Sequence, residues 1–392
     1  MPLDLLRDNA ALCREAKEAF IANGLPSAKA EAWIYTRLAD VTVNPSSPSA
    51  DEAASEAGVL FFADGWLQSG IADVPDGVRI SEMRDDETLS AFHSKLPEAH
   101  LLSSLSLGHA TGAYVIDVDA GADVNSALQF IFSSSDEECS SHPLIFVRIG
   151  KGAHVKIAEI HQSSARLSAP VMVMDIADGA HLEHVKLQAD DVNSTHLALS
   201  VMDVAQNAHI NSFTAAIGAQ LGRHETHANL NGEEIDMSLS SLYLARGSQH
   251  QDMTTRMHHF MPNCTSNQVI RGVLDDTAKG VFQGKVLVAR DAQKTDGQQM
   301  SRALLLSRKA EADAKPELEI YADDVVCSHG ATVGELDETH LFYMKSRGIA
   351  EADARAMLIE AFVADALEEI QDDELATILQ SAVSAWMRGE SV

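Results

Sequence analysis

The run Val326-Cys327-Ser328-His329-Gly330 holds the most reactive-looking pair of side chains in this chain. A thiolate and an imidazole suit soft and borderline metals, and both are found as ligands in iron chemistry. Residues two apart on a β-strand share a face. The alternation Leu318-Glu319-Ile320-Tyr321 just upstream signals a strand, and if it continues, Cys327 and His329 project side by side. Two ligands make half a site, and a site shared across a subunit interface would remove the shortage. Taken alone, Cys-x-His is common, and a purely structural role is its plainer reading.

Other chemistries find little support in the residues. Gly280-Val281-Phe282-Gln283-Gly284-Lys285-Val286 approaches a phosphate-binding loop but has the wrong spacing and no hydroxyl after the lysine. Neither a Gly-x-Ser-x-Gly elbow nor a His-Glu-x-x-His pair occurs. The adjacent acids Asp275-Asp276 and Asp323-Asp324 invite comparison with solenoid enzymes that cleave polysaccharides. Neighbours on a strand point to opposite faces, however, so each pair reads as a solvated turn. Cys13, Cys139, Cys264 and Cys327 lie far apart, which predicts reduced thiols rather than a disulfide framework or a zinc knuckle. A formal net charge of -29 disfavours nucleic acid and anionic lipid as partners. The first residues have no signal-peptide pattern and no long apolar run follows, so a cytoplasmic protein is expected.

The elements that must position Cys327 and His329 follow from a repeat. Gly152-Ala153-His154-Val155, Gly179-Ala180-His181-Leu182 and Asn207-Ala208-His209-Ile210 recur about every 27 residues. Alternating runs such as Val155 to Ile160 and Val171 to Ile176 are strands, roughly two per repeat. Gly or Asn at the head of each repeat tolerates the positive φ of a tight corner. A unit of two short strands cannot bury its own apolar face, so the units stack, which predicts a right-handed parallel β-helix; a β-sandwich of the same strand content is the alternative. His154, His181 and His209 would then form a stacked ladder on the outside rather than a metal site.

Helical periodicity marks both ends. Leu5, Leu12, Ala16, Ala19 and Phe20 form one stripe, a second helical piece is expected around Lys29 to Leu38, and Asn44 to Gly58 reads as a linker. After Gly334 three helices are expected: one capped by Asp337 and ending at Gly348, one carrying Ala354, Leu358, Ala361 and Phe362, and one introduced by Asp372-Asp373 that carries Leu375, Leu379 and Trp386. The expected division is 1–58 helical region and linker, 59–334 β-helix, and 335–392 C-terminal helical subdomain.

The residues from Ala292 to Gln299, from Lys315 to Asp324 and from Cys327 to Gly334 resemble the SufD family of iron-sulfur cluster assembly proteins. Leu341-Phe342-Tyr343 through Ser346-Arg347-Gly348 is similar to that family's C-terminal helical segment, and Gly24-Leu25-Pro26 with Glu31, Trp33, Tyr35 and Thr36 fits its N-terminal pattern. Val41 to Phe132 carries no quotable match. The resemblance implies a non-catalytic scaffold that pairs with a SufB paralogue through the β-helix and docks the ATPase SufC through its C-terminal helices. Cys327 and His329 are then candidate ligands of a transient iron-sulfur cluster at the SufB interface, and Phe342, Tyr343, Arg347 and Gly348 candidate SufC contacts. No tightly bound cofactor is implied for the isolated chain, and flavin in the complex and a homodimer are left open. The rival readings are a carbohydrate-active β-helix and a protein-binding solenoid with no metal role.

Overall fold

The computed structural model describes residues 11–27, 29–38, 41–47, 57–69 and 74–390. With strands and helices each numbered along the chain, two sheets dominate. The first runs β2 (Trp66–Ser69), β1 (Val59–Ala63), β5 (Asp123–Ser134), β8 (His154–Ser163), β11 (His181–Gln188), β13 (His209–Ala216), β15 (Asp236–Ala245), β17 (Thr265–Leu274), β19 (Asp296–Leu305), β21 (Val326–Glu335). The second runs β20 (Glu311–Ile320), β18 (Lys279–Val288), β16 (His250–His259), β14 (Leu221–Leu230), β12 (Thr195–Val204), β10 (Val171–Ile176), β7 (Pro143–Ile149), β4 (Gly112–Val118), β3 (Val78–Glu82). The short β6 (Ser140–Ser141) and β9 (Leu167–Ser168) pair beside the second sheet.

From β4 onward consecutive strands alternate for the most part between sheets and each pairs in parallel with its counterpart one coil away, which defines a β-solenoid and excludes the sandwich. The repeat is exact in register: His154, His181 and His209 are successive partners, and their rings stack with centroids 4.4 and 4.6 Å apart on the exposed side. Asn207 opens its repeat with φ 55°, and Gly152 and Gly179 occupy the same corner at 64° and 66°, as expected for residues that tolerate the left-handed region.

Strand alternation sorts the side chains into three layers. One face of each strand fills the lumen, where Val155, Ile157, Leu182, Met202, Ile210 and Met237 form a continuous core. The outer face of the second sheet is covered by α1 (Ala11–Asn23), α2 (Asp86–Lys95) and α3 (Leu101–Gly108), which pack on Phe146, Val173, Leu199 and Val201. α1 and α3 lie so close that a Cβ on Gly108 would sit 2.7 Å from the Lys17 backbone. The outer face of the first sheet is covered by α5 (Glu351–Leu367) and α6 (Asp373–Met387), whose Val363, Leu375, Leu379 and Trp386 meet Val185, Phe213 and Leu242.

Several expectations change. Lys29 to Leu38 forms only a 3₁₀ turn at Glu31–Trp33, because Trp33 and Thr36 are drawn onto the solenoid wall instead of completing helical turns. The strand at Leu318 does not run on to Cys327; a corner follows Ile320 and β21 starts afresh at Val326. The stretch from Val41 to Phe132 includes β1 to β5, α2 and α3. Leu5 and residues 48–56 of the expected linker lie outside the described residues. The three C-terminal helices stand where Asp337 and Asp372 predicted them, each of these carboxylates accepting two backbone N–H bonds at a helix start.

Candidate functional site: the open end of the solenoid

β20 and β21 are the last strands of their sheets, each paired on one side only, with β18 and β19 respectively. An unpaired edge presents a row of free N–H and C=O groups, a template for another chain. Apolar side chains stand exposed along this edge among charged ones such as Glu311 and Glu317. Val326 is 65 % exposed, and Val333, Ile320 and Tyr321 are exposed beside it.

Cys327 and His329 lie two residues apart on β21, as the spacing predicted, opposite Gly297 and Gln299 of β19. Cys327 is half-buried and packs on the end of the luminal core, whereas His329 is exposed. Gly297 makes the room: a Cβ there would lie 3.3 Å from the Cys327 Sγ. Burial pushes the Cys327 thiol above its ordinary range, opposed by the Gly297 backbone N–H and reinforced by the charge of Asp296. The isolated chain therefore holds a protonated thiol at neutral pH, which a metal or a cationic partner must displace from its proton. The other three cysteines are buried.

Two residues after β21 the chain enters α4 (Glu338–Ser346), which buries none of its side chains. Phe342 is 73 % exposed and Tyr343 is exposed beside it. The Arg347 guanidinium stands 5.3 Å over the Tyr343 ring and donates to its hydroxyl oxygen at 3.0 Å, while Gly348, at φ 89°, ends the helix. Lys345 pairs with Glu351 at 2.6 Å and ties α4 to α5. Two aromatics held out on a helix with no apolar cover are suited to a partner's pocket.

The other motifs singled out in the sequence serve structure. Gly280 and Gly284 face the lumen of β18 against Tyr243 and Gln299. Asp275 and Asp276 sit in the corner before β18, where Asp276 accepts from the Gly247 backbone at 3.0 Å.

A second cluster was not legible beforehand. Arg223, Glu225 and His227 alternate along the outer face of β14, and His100 reaches them from the start of α3. Glu225 Oε1 lies 2.9 Å from both His100 Nε2 and His227 Nε2, and its Oε2 accepts from Arg223 at 2.8 Å. Arg223 is fully buried, bridges to Asp252 at 2.5 Å and lies 4.1 Å beneath the Trp33 ring. The Arg-x-Glu-x-His alternation was the available signal; the partner His100 is 125 residues away.

Comparison with known proteins places this architecture. Residues 130–362, more than half of the chain, match the family model described as SUF system FeS cluster assembly, SufBD core domain. The iron-sulfur cluster assembly protein SufD of Escherichia coli is 31% identical over 91% of this chain and 88% of its own length. An iron-sulfur cluster assembly SufBD family protein of Synechocystis is 27% identical over 92% and 87%, and the chloroplastic protein ABCI7 of Arabidopsis thaliana is 28% identical over 96% and 84%. With most of its solenoid inside the matched range and its relatives aligned nearly end to end, the chain belongs to the SufBD family of the SUF iron-sulfur cluster assembly system.

Proposed function

We propose that this chain is a non-catalytic scaffold subunit of SUF iron-sulfur cluster assembly. It pairs through β20 and β21 with a SufB-like paralogue and docks a SufC-like ATPase through α4 and the helices behind it. The observation that carries the reading is the unpaired end of the solenoid, where apolar side chains stand exposed, with Cys327 and His329 set into it. A second solenoid of the same kind, brought edge to edge, would satisfy the free backbone groups, cover Val326 and Val333, and bring further ligands to the thiol and imidazole. The same joint turns half a ligand set into a whole one, so a nascent cluster would rest there only while the partners are together. ATP-driven closure of SufC would move α4 and strain the joint, since two stacked edges do not part without a free-energy source.

Purification of the tagged full-length chain from its own cells, with identification of co-purifying proteins and an anaerobic iron and sulfide assay, tests the proposal. The expected result is recovery of a SufB-like and a SufC-like protein. Val326→Lys with Val333→Lys should remove the first, Phe342→Ala with Tyr343→Ala the second, and Cys327→Ala with His329→Ala should leave both partners but lower cluster transfer to an acceptor. Recovery of the chain alone, or only as a self-dimer, would overturn the pairing; a metal-free complex indifferent to Cys327 and His329 would leave a protein-binding solenoid.

A further inference from the structure

We infer that His100, Glu225 and His227 form a binding site for a divalent first-row transition ion such as Fe²⁺ or Zn²⁺. The inference is independent of the partner assignments above. Three donor atoms, His100 Nε2, His227 Nε2 and Glu225 Oε1, all lie within 4.8 Å of one another, and no other His, Cys, Asp or Glu group of three converges this way among the described residues. Two imidazoles and one carboxylate with open positions left over match the ligand preferences of zinc and non-haem iron.

The surroundings are built rather than incidental. Glu225 is 1 % exposed, and its second oxygen is fixed by Arg223, whose own charge is balanced by Asp252. Metal-binding carboxylates characteristically have this kind of outer support. His100 occupies the N-cap of α3, a position where Ser, Thr, Asp or Asn would cap the helix, yet its side chain makes no capping bond and turns to Glu225 instead. Its Nδ1, the ring nitrogen not bonded to Glu225, is buried without a partner and carries the ring proton when Nε2 is a ligand.

Of the three residues, His100 faces a cavity, one of about 380 Å³ between α1 and the α2–α3 connection, with Glu15, Glu98 and His93 among its walls. The carboxylates favour a cation at this mouth. Two guanidinium groups oppose it: Arg256 Nε stands 3.9 Å from Glu225 Oε1, and Arg223, balanced by Asp252, holds Oε2 at 2.8 Å. Arg256 also borders a cavity of about 270 Å³ lined by Glu31 and Glu317, both of which pair with Lys315.

The full-length chain, stripped with chelator and dialysed, is titrated with Co²⁺ while its visible d–d absorption is followed. One equivalent should give intense bands of a low-coordinate nitrogen and oxygen site. His100→Ala should weaken binding by at least about tenfold and abolish those bands, and Glu225→Gln should do the same. Because Glu225→Gln leaves Arg223 without part of its partner and could unfold the chain, His100→Ala, at the edge of the cluster, is the deciding variant, with far-ultraviolet circular dichroism as its fold control. His181→Ala, which breaks the exposed histidine ladder, and Cys327→Ala should leave the bands intact. Bands that survive His100→Ala, vanish with His181→Ala or Cys327→Ala, or never form would each overturn the assignment and leave the cluster as a buried ion-pair network.

Discussion

Cys327 differs from the other cysteines in being only half-buried, and this predicts a chemical fingerprint. Cys13, Cys139 and Cys264 should react with a thiol reagent only on unfolding, whereas Cys327 should be labelled first in the native chain. Its raised pKa sets the sign: the rate should climb about tenfold per pH unit between 7 and 9, as the thiolate fraction grows. A rate flat across that range would contradict the protonated thiol. A second pH effect belongs to the lumen. His161 and His259 are fully buried and held down to about 4 by desolvation. Between about 4 and the unfolded value near 6.5 only the unfolded chain binds these protons, so stability falls as pH drops through that window, by about 1.4 kcal/mol per unit for each histidine. Urea midpoints at pH 7.5 and 5.5 should show the loss, and His259→Gln should reduce it. At this scale the sequence was legible where function depends on close spacing, as at Cys327 and His329. It was opaque for His100 with Glu225, since contact between residues 125 apart is decided by how α3 lies on the second sheet.

At the scale of elements, caps were the most readable signals. Asp372 accepts from the backbone N–H groups of Glu374 and Leu375 at 3.0 and 3.1 Å and pairs with Lys156 of β8 at 2.7 Å. It thus starts α6 and fastens it to the first sheet. Asp372→Ala should cost roughly 1–2 kcal/mol of stability, from the loss of an N-cap and a partly shielded ion pair. Calorimetry should show a lowered midpoint, with α6 becoming the earliest proteolytic cut; an unchanged midpoint would mean that apolar packing alone holds the helix. The repeat corners were equally readable, because Gly or Asn there answers a backbone requirement. Glu31–Trp33 was not, since its helical spacing is overridden by the fit of Trp33 over Arg223. Nor were β4 and the helices that follow β3: Gly112 to Val118 is almost wholly covered on both faces and lacks the alternation that marks a half-buried strand.

At the scale of the whole molecule the two ends of the solenoid are unlike. At the N-terminal end the sheets close with antiparallel pairs, β1 with β2 and β3 with β4, whereas the C-terminal end stops at two bare strands. Solenoid ends need cover, and this end leaves Val326, Val333, Ile320 and Tyr321 exposed on or beside unpaired strands of a chain with a formal net charge of -29. The fold itself was readable from the repeat of Ala-His after each corner. The bare last edge had a signal in Pro316 and the charged row Glu311, Asp313, Lys315, Glu317 and Glu319 of β20, since proline within a strand is confined to edges. Among the described residues no helix is long and apolar enough to cross a membrane.

Hydrogen–deuterium exchange of the full-length chain, alone and mixed with a SufB-like paralogue as the proposed partner, tests the central claim most directly. The account predicts slowed exchange over Glu311–Ile320 and Val326–Glu335 in the mixture, with the interior strands of both sheets unchanged. Protection that appears elsewhere while these two strands exchange as fast as in the free chain would contradict it.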